Sequence, residues 1–211
     1  MTATTSATQR PSTLLIACGA TAREIIAVLK QNALDFMKVE CLPAHLHNTP
    51  HQIPEAVRTK IQQSRDKFQH IIVLYGDCGT GGKLDAVLAE EGVERIAGAH
   101  CYELFTGKKD FADIMDTEPG SFFLTDFLAE HFDRLVWKGL GLDKNPQLVK
   151  LYFANYTRLL YLAQSDNLQI HQKAKQAAEK LGLRFEIRHT GYGRYETFLA
   201  FIANTSPQKR N

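Results

Sequence analysis

Short apolar runs that stop at glycine alternate along this chain with longer stretches in which apolar residues recur every three or four positions. Residues 13–17 read as a buried strand ending at Cys18-Gly19, and residues 21–31 space Ile25, Ile26, Val28 and Leu29 for one helical face. A second strand opens at 39–42. Pro54 stands near the first turn of a helix predicted over 54–68, with Ala56, Val57 and Ile61 on one side. Residues 70–75, HIIVLY, are the most strand-like, rich in β-branched side chains and halted by Gly76-Asp77-Cys78-Gly79. A helix over 83–91 closes on Gly92, as a C-cap should. A strand at 93–96 leads into Ala99-His100-Cys101-Tyr102, read as a loop. Helices are then predicted over 121–131 and 146–158, a strand at 159–163, a helix over 168–181 and a strand at 183–188. Phe123, Phe127, Leu128 and Phe132 fall at core spacing in the first of these helices. The alternation gives an α/β class, with a mainly parallel sheet covered by helices on both faces.

Two of the strand–helix–strand units resemble each other. LLIACGATAREIIAVL and IIVLYGDCGTGGKLDAVL both run from a strand through Cys-Gly to a helix ending Ala-Val-Leu, and each continues to a Val-Glu strand and an Ala-His pair. A third unit, LLYLAQSDNLQ to LRFEIRH, keeps the order without a cysteine. Any two such units share short apolar strands and Ala/Leu helices, so the likeness has a plain explanation too. If the repeat is real, groups placed after equivalent strands converge at one end of the sheet, where open α/β folds put their sites.

Composition narrows the classes without naming a reaction. The chain has 211 residues, 44% hydrophobic and 23% charged, which suits one α/β domain over 13–204, with lobes dividing at 120/121 as a variant. Residues 1–12 read as a disordered arm and 205–211 as a polar tail. A formal net charge of +2 advertises neither nucleic acid nor an anionic membrane, and no apolar run is long enough to cross a bilayer. Leu15-Ile16-Ala17-Cys18 has the look of a lipoprotein cleavage box, but the apolar stretch before it is too short for an export signal. A cytoplasmic location follows as the expectation. There, four reduced cysteines point to metal binding or catalysis more than to disulfides. Aromatics crowded between residues 122 and 162 suit a core or the face of a homo-oligomer.

The cysteines and histidines carry the chemistry. Cys18, Cys78 and Cys101 each follow a predicted strand, a setting rigid on one side and open on the other. The glycines around Cys78 (Gly76, Gly79, Gly81, Gly82) let backbone amides approach a bound group or lower a thiol's pKa. Cys41, His45, His47 and His51 form a second group. Of these His47, together with His100, is the better ligand candidate, with His45 packed beneath. Three cysteines with an open iron fit an iron–sulfur cluster, and two thiolates with one or two imidazoles fit zinc. The rival is core filling, which suits Cys41 well, Cys18 less, and Cys78 poorly. GDCGTGGK departs from a phosphate-binding loop, since Asp77 occupies the first glycine position and Leu84 the hydroxyl position. Asp77 is read either as a proton-handling or ligand-supporting group or as a plain turn residue. His189 precedes a turn, Thr190-Gly191-Tyr192-Gly193, that would close over a site.

The motifs ACGA…RE, LHNTP, LYGDCGTGG, AHCYE, FFLTDFL, GLGLD and YLAQSD resemble the prokaryotic domain of unknown function 1638 family, from about Leu14 to Tyr195. The resemblance implies no assigned reaction. Members are often encoded near corrinoid-dependent methyl-transfer proteins, which implies one-carbon or metal-cofactor chemistry and a methyltransferase partner. Its motifs emphasise Cys18, His47, Asp77, Cys78, His100 and Cys101. The expectation is a metal-dependent lyase or transferase. Cys18, His47, Cys78 and Cys101 hold zinc or a cluster, Asp77 and His100 act on a small polar substrate, and the glycine loop contacts the bound group. A metal-free enzyme with Cys78 as nucleophile and a non-enzymatic accessory protein are the alternatives.

Overall fold

The computed structural model describes residues 13–205, so the expected arm and nearly all of the expected tail lie outside the described residues. β1 (Thr13–Cys18), β2 (Met37–Leu42), β3 (His70–Leu74) and the two-residue β4 (Glu94–Arg95) form one parallel sheet in the order β2-β1-β3-β4. β5 (Ser121–Thr125), β6 (Arg158–Ala163) and β7 (Arg184–His189) form a second parallel sheet in chain order. The α/β class therefore stands, with one correction: the strands divide between two sheets, 13–95 and 121–189, instead of joining one.

Alternation along the central strands explains the layering. Leu14 and Ile16 of β1 face Val57 and Ile61 of α2 (Ile53–Ser64) and Leu84 and Leu88 of α3 (Lys83–Glu91). Leu15 and Ala17 face the other way, onto Ile25 and Val28 of α1 (Ala22–Gln31). All four of these β1 residues are fully buried, as a parallel strand covered on both faces requires. The same inner core takes in Leu104 of α4 (Cys101–Thr106), Ile114 of α5 (Lys108–Thr117), and Phe123, Leu160 and Leu162 from the second sheet. The opposite face of that sheet, Leu124, Leu159 and Tyr161, packs on α6 (Asp126–Glu130) and on Ala174, Ala177 and Ala178 of α8 (Leu168–Leu181). Helices sandwiched between the two sheets thus tie them into one body, each fully buried Leu or Ile contributing about 2 kcal/mol.

Several expected boundaries move. The predicted helix over 121–131 is β5 followed by α6; Phe123 lies on the strand, and Thr125 caps α6 by accepting from the Leu128 amide. The helix predicted over 146–158 is reduced to α7 (Leu148–Tyr152). Cys101 does not sit in a loop but opens α4, with His100 as its N-cap. α5 and α9 (Arg194–Thr205) were not anticipated. The turn 190–193 leads into α9, whose Tyr195 and Leu199 return to the inner core against Phe105.

Candidate metal centre

The order β2-β1-β3-β4 changes direction between β1 and β3, and at such a switch point the loops leaving the two strands part and open a crevice. Cys18 is the last residue of β1 and Cys78 follows β3 by four positions. Two backbone bonds zip the β3 loop to the segment before α4: Asp77 N–H donates to Gly98 O and Cys78 N–H to Ala99 O, both at 2.9 Å. This pairing carries Cys78 to His100 and Cys101. A Cβ on Gly76 would lie 2.9 Å from the His100 backbone, so the approach requires glycine there. Cys78 itself adopts φ 50°, a left-handed conformation that a side chain disfavours by about 1–2 kcal/mol. The loop holds this thiol in place against that cost.

One donor atom each from Cys78, His100 and Cys101 lies within 4.8 Å of the other two. The Cys101 Sγ is 3.3 Å from His100 Nδ1, which also accepts the Tyr102 amide at 3.4 Å. A hydrogen bond from the Cys101 thiol is the main cause that holds the Cys78 thiol below its ordinary value, with burial opposing it. The same bond, with full burial, pushes Cys101 well up. Within the pair, the proton is therefore favoured on Cys101 and the negative charge on Cys78. Burial, then the neighbouring His47, lowers His100 to about 4, so its imidazole is neutral and fit to ligate. Burial raises Cys18 to about 11 and lowers His47.

These groups border a cavity of about 200 Å³ between the carboxyl ends of the two sheets. Cys18, Cys78, Cys101, His47 and His100 share its wall with Thr21, Tyr75, Tyr102, Thr125 and Tyr195 and with apolar Ile53, Leu74 and Leu128. Tyr102 stacks between His100 (4.2 Å) and Phe123 (4.9 Å), joining the triad to the second sheet. A larger hollow of about 480 Å³ near His70, Val93 and Glu94 lies at the amino ends of β3 and β4, away from the thiols.

A family described as "Protein of unknown function (DUF1638)" matches residues 41–199. The chain belongs to the DUF1638 family. No curated protein matches it. Among solved structures, an ornithine carbamoyltransferase from Pyrococcus furiosus is similar at 14% identity and a TM-score of 0.26, over 86% of this chain and 55% of that one, so the chain spans about half of that protein.

In this DUF1638 protein the sequence-derived site residues separate into two sets. Cys18, His47, Cys78, His100 and Cys101 reach one cavity, although Cys18 and His47 stay outside the close triad. Asp77 does not line the cavity: its carboxylate accepts the Thr80 hydroxyl (2.6 Å) and the amides of Gly82 (2.8 Å) and Gly81 (3.1 Å). Burial of Asp77 opposes ionisation, but those three donors outweigh it and hold the carboxyl below its usual range. Gly81 and Gly82 thus spend their amides on Asp77, and Gly79 packs by Pro50; of the four glycines only Gly76 borders the cavity. Cys41 is exposed on β2, which contradicts the core-filling reading for it, and His45 is exposed instead of packed beneath His47. His189 pairs with exposed Asp166 at 3.4 Å, on the surface.

Sequence reasoning missed Tyr75, Tyr195, Thr21 and Thr125 as wall residues, and Arg95 as a clamp. Arg95 donates to the carbonyls of Ile96 (3.0 Å) and Gly98 (3.2 Å) while Asp85 holds its other edge, fixing the segment that pairs with Asp77 and Cys78. The position of Tyr75 at the end of HIIVLY was the available sign; Thr125 was hidden inside the helix predicted over 121–131, and nothing local marked Tyr195 or Arg95.

Proposed function

We propose that this protein is a metalloprotein in which Cys78, His100 and Cys101 bind one transition-metal ion, zinc being the best match. The supporting observation is the spacing: donors within 4.8 Å of one another suit a single ion. Tetrahedral zinc ligands stand about 3.8 Å apart, whereas a cluster-bearing triangle of sulfurs needs roughly 6–7 Å. Three protein ligands would leave a fourth position, and all three of these residues line the cavity, which suits the open arrangement of catalytic zinc sites. The enzyme reading follows from that opening: an ion held there would supply Lewis-acid chemistry to a bound group. Cys18 and His47 are reserve ligands. A cytoplasmic location and an association with a methyltransferase system are part of the same reading, resting on four cysteines free of disulfides and on the family resemblance. No helix among the described residues is long and apolar enough to cross a membrane.

Anaerobic purification with metal analysis tests the reading. About one equivalent of metal is expected, and Cys78→Ser should reduce it at least tenfold; wild-type protein with a negligible metal content after zinc loading would overturn it. A second reading, a metal-free Cys78 nucleophile, is favoured by the Cys101 thiol that stabilises the Cys78 thiolate. It predicts that Cys78→Ser abolishes only labelling by a thiol reagent.

A further inference from the structure

We propose that the open face of the Cys78–His100–Cys101 centre receives a small, uncharged oxygen compound, an alcohol or a carbonyl, whose oxygen meets the metal through one lone pair and accepts a hydrogen bond from Tyr75 or Tyr195 through the other. This inference rests on the metal reading above. It is carried by size, by donors and by charge. A cavity of about 200 Å³ holds the volume of roughly six or seven waters, so the ligand is small.

Tyr75 and Tyr195 are 3% and 0% exposed, both line the cavity, and neither hydroxyl has a hydrogen-bond partner among the described residues. The Tyr75 hydroxyl lies by the Cys18 thiol and that of Tyr195 by Thr21, without bonding geometry. Buried polar groups are nearly always paired. An acceptor that enters with the ligand explains unpaired donors lining this cavity.

Charge decides what kind of acceptor. Among the described residues, no Asp, Glu, Lys or Arg lines the cavity. Two thiolates and a neutral imidazole cancel the charge of a divalent ion. A carboxylate or phosphate would then carry an uncompensated charge into a poorly hydrated space, which is strongly disfavoured. A neutral oxygen does not, and Ile53, Leu74 and Leu128 offer apolar contact to its carbon side.

The test uses the full-length protein loaded with cobalt(II), whose d–d absorption reports its coordination sphere, with 2-propanol, acetone and acetate as probes. The two neutral probes should shift the bands saturably, and acetate should not. At least one of Tyr75→Phe and Tyr195→Phe should weaken the neutral probes by about five- to tenfold, the value of one hydrogen bond, with cobalt uptake unchanged. Both variants should fold, since each removes only an unpaired hydroxyl. A response to acetate alone, or tyrosine variants that both bind like wild type, would overturn the inference. Cobalt bound with a thiolate charge-transfer band but unmoved by any probe would sink this inference and leave the metal reading standing. Absence of cobalt uptake would remove both.

Discussion

Glu24 shows at the residue scale how burial dominates a titration. It is 5% exposed on α1, one of its carboxylate oxygens has no partner among the described residues, and burial together with nearby Asp126 raises its pKa from 4.5 to about 7. Asp126 holds the tighter position, accepting from the Tyr161 and Ser165 hydroxyls and the Gln164 amide. The folded protein therefore binds the Glu24 proton more tightly than the unfolded chain does. This contribution to stability is complete below pH 4.5 and is lost as pH rises through 7, amounting to about 3 kcal/mol. Glu24→Gln should flatten that slope and leave the variant more stable than wild type at pH 8, which urea unfolding at pH 5, 7 and 8 would check. A wild-type slope that persists in the variant would refute the assignment. Residue identities in this region were plain in FFLTDFL and YLAQSD, but the proximity of Glu24 to Asp126 was not. They are far apart in the chain, and the contact depends on α1 meeting the second sheet.

Elements differ in how far their boundaries could be seen in advance. α3 and α8 were readable because each ends in a left-handed glycine, Gly92 (φ 62°) and Gly182 (φ 71°). β5 was hidden because Phe123, Phe127, Leu128 and Phe132 mimic a helical stripe while lying on different elements that share neighbouring cores. The β3–α3 loop is the element that positions the site, and it supports two predictions. Asp77→Ala removes three hydrogen bonds that close the turn, and should cost about 1–2 kcal/mol while lowering metal affinity. Asp77→Asn should recover part of both. Gly76→Ala places a methyl against the His100 backbone and should lower metal occupancy more than Asp77→Ala does. Denaturant midpoints and metal content, measured on the same preparations, separate loss of fold from loss of site. If Gly76→Ala retained full metal occupancy, the close approach of the two loops would not matter to the centre.

For the whole molecule, the centre lies where three parts meet: the β1–β3 crevice, the start of α4, and the end of β5. Metal should therefore stabilise the global fold as well as a loop. A free metal concentration one hundred times Kd adds about 2.7 kcal/mol, or roughly 5–10 °C in Tm for a domain of this size. Calorimetry with zinc and with a chelator would test this; an unchanged Tm in the presence of bound zinc would place the ion outside the folded network. The sequence by itself determined the α/β class, most strands, and the cysteines and histidines worth following, because periodicity and glycine stops are local properties. Only the tertiary structure decided that the strands form two sheets, that Asp77 serves its own loop, and that Cys78, His100 and Cys101 meet while Cys41 stays at the surface. Those outcomes depend on strand order and on which layers pack together, and distances across a fold are set by packing between segments that the chain places far apart.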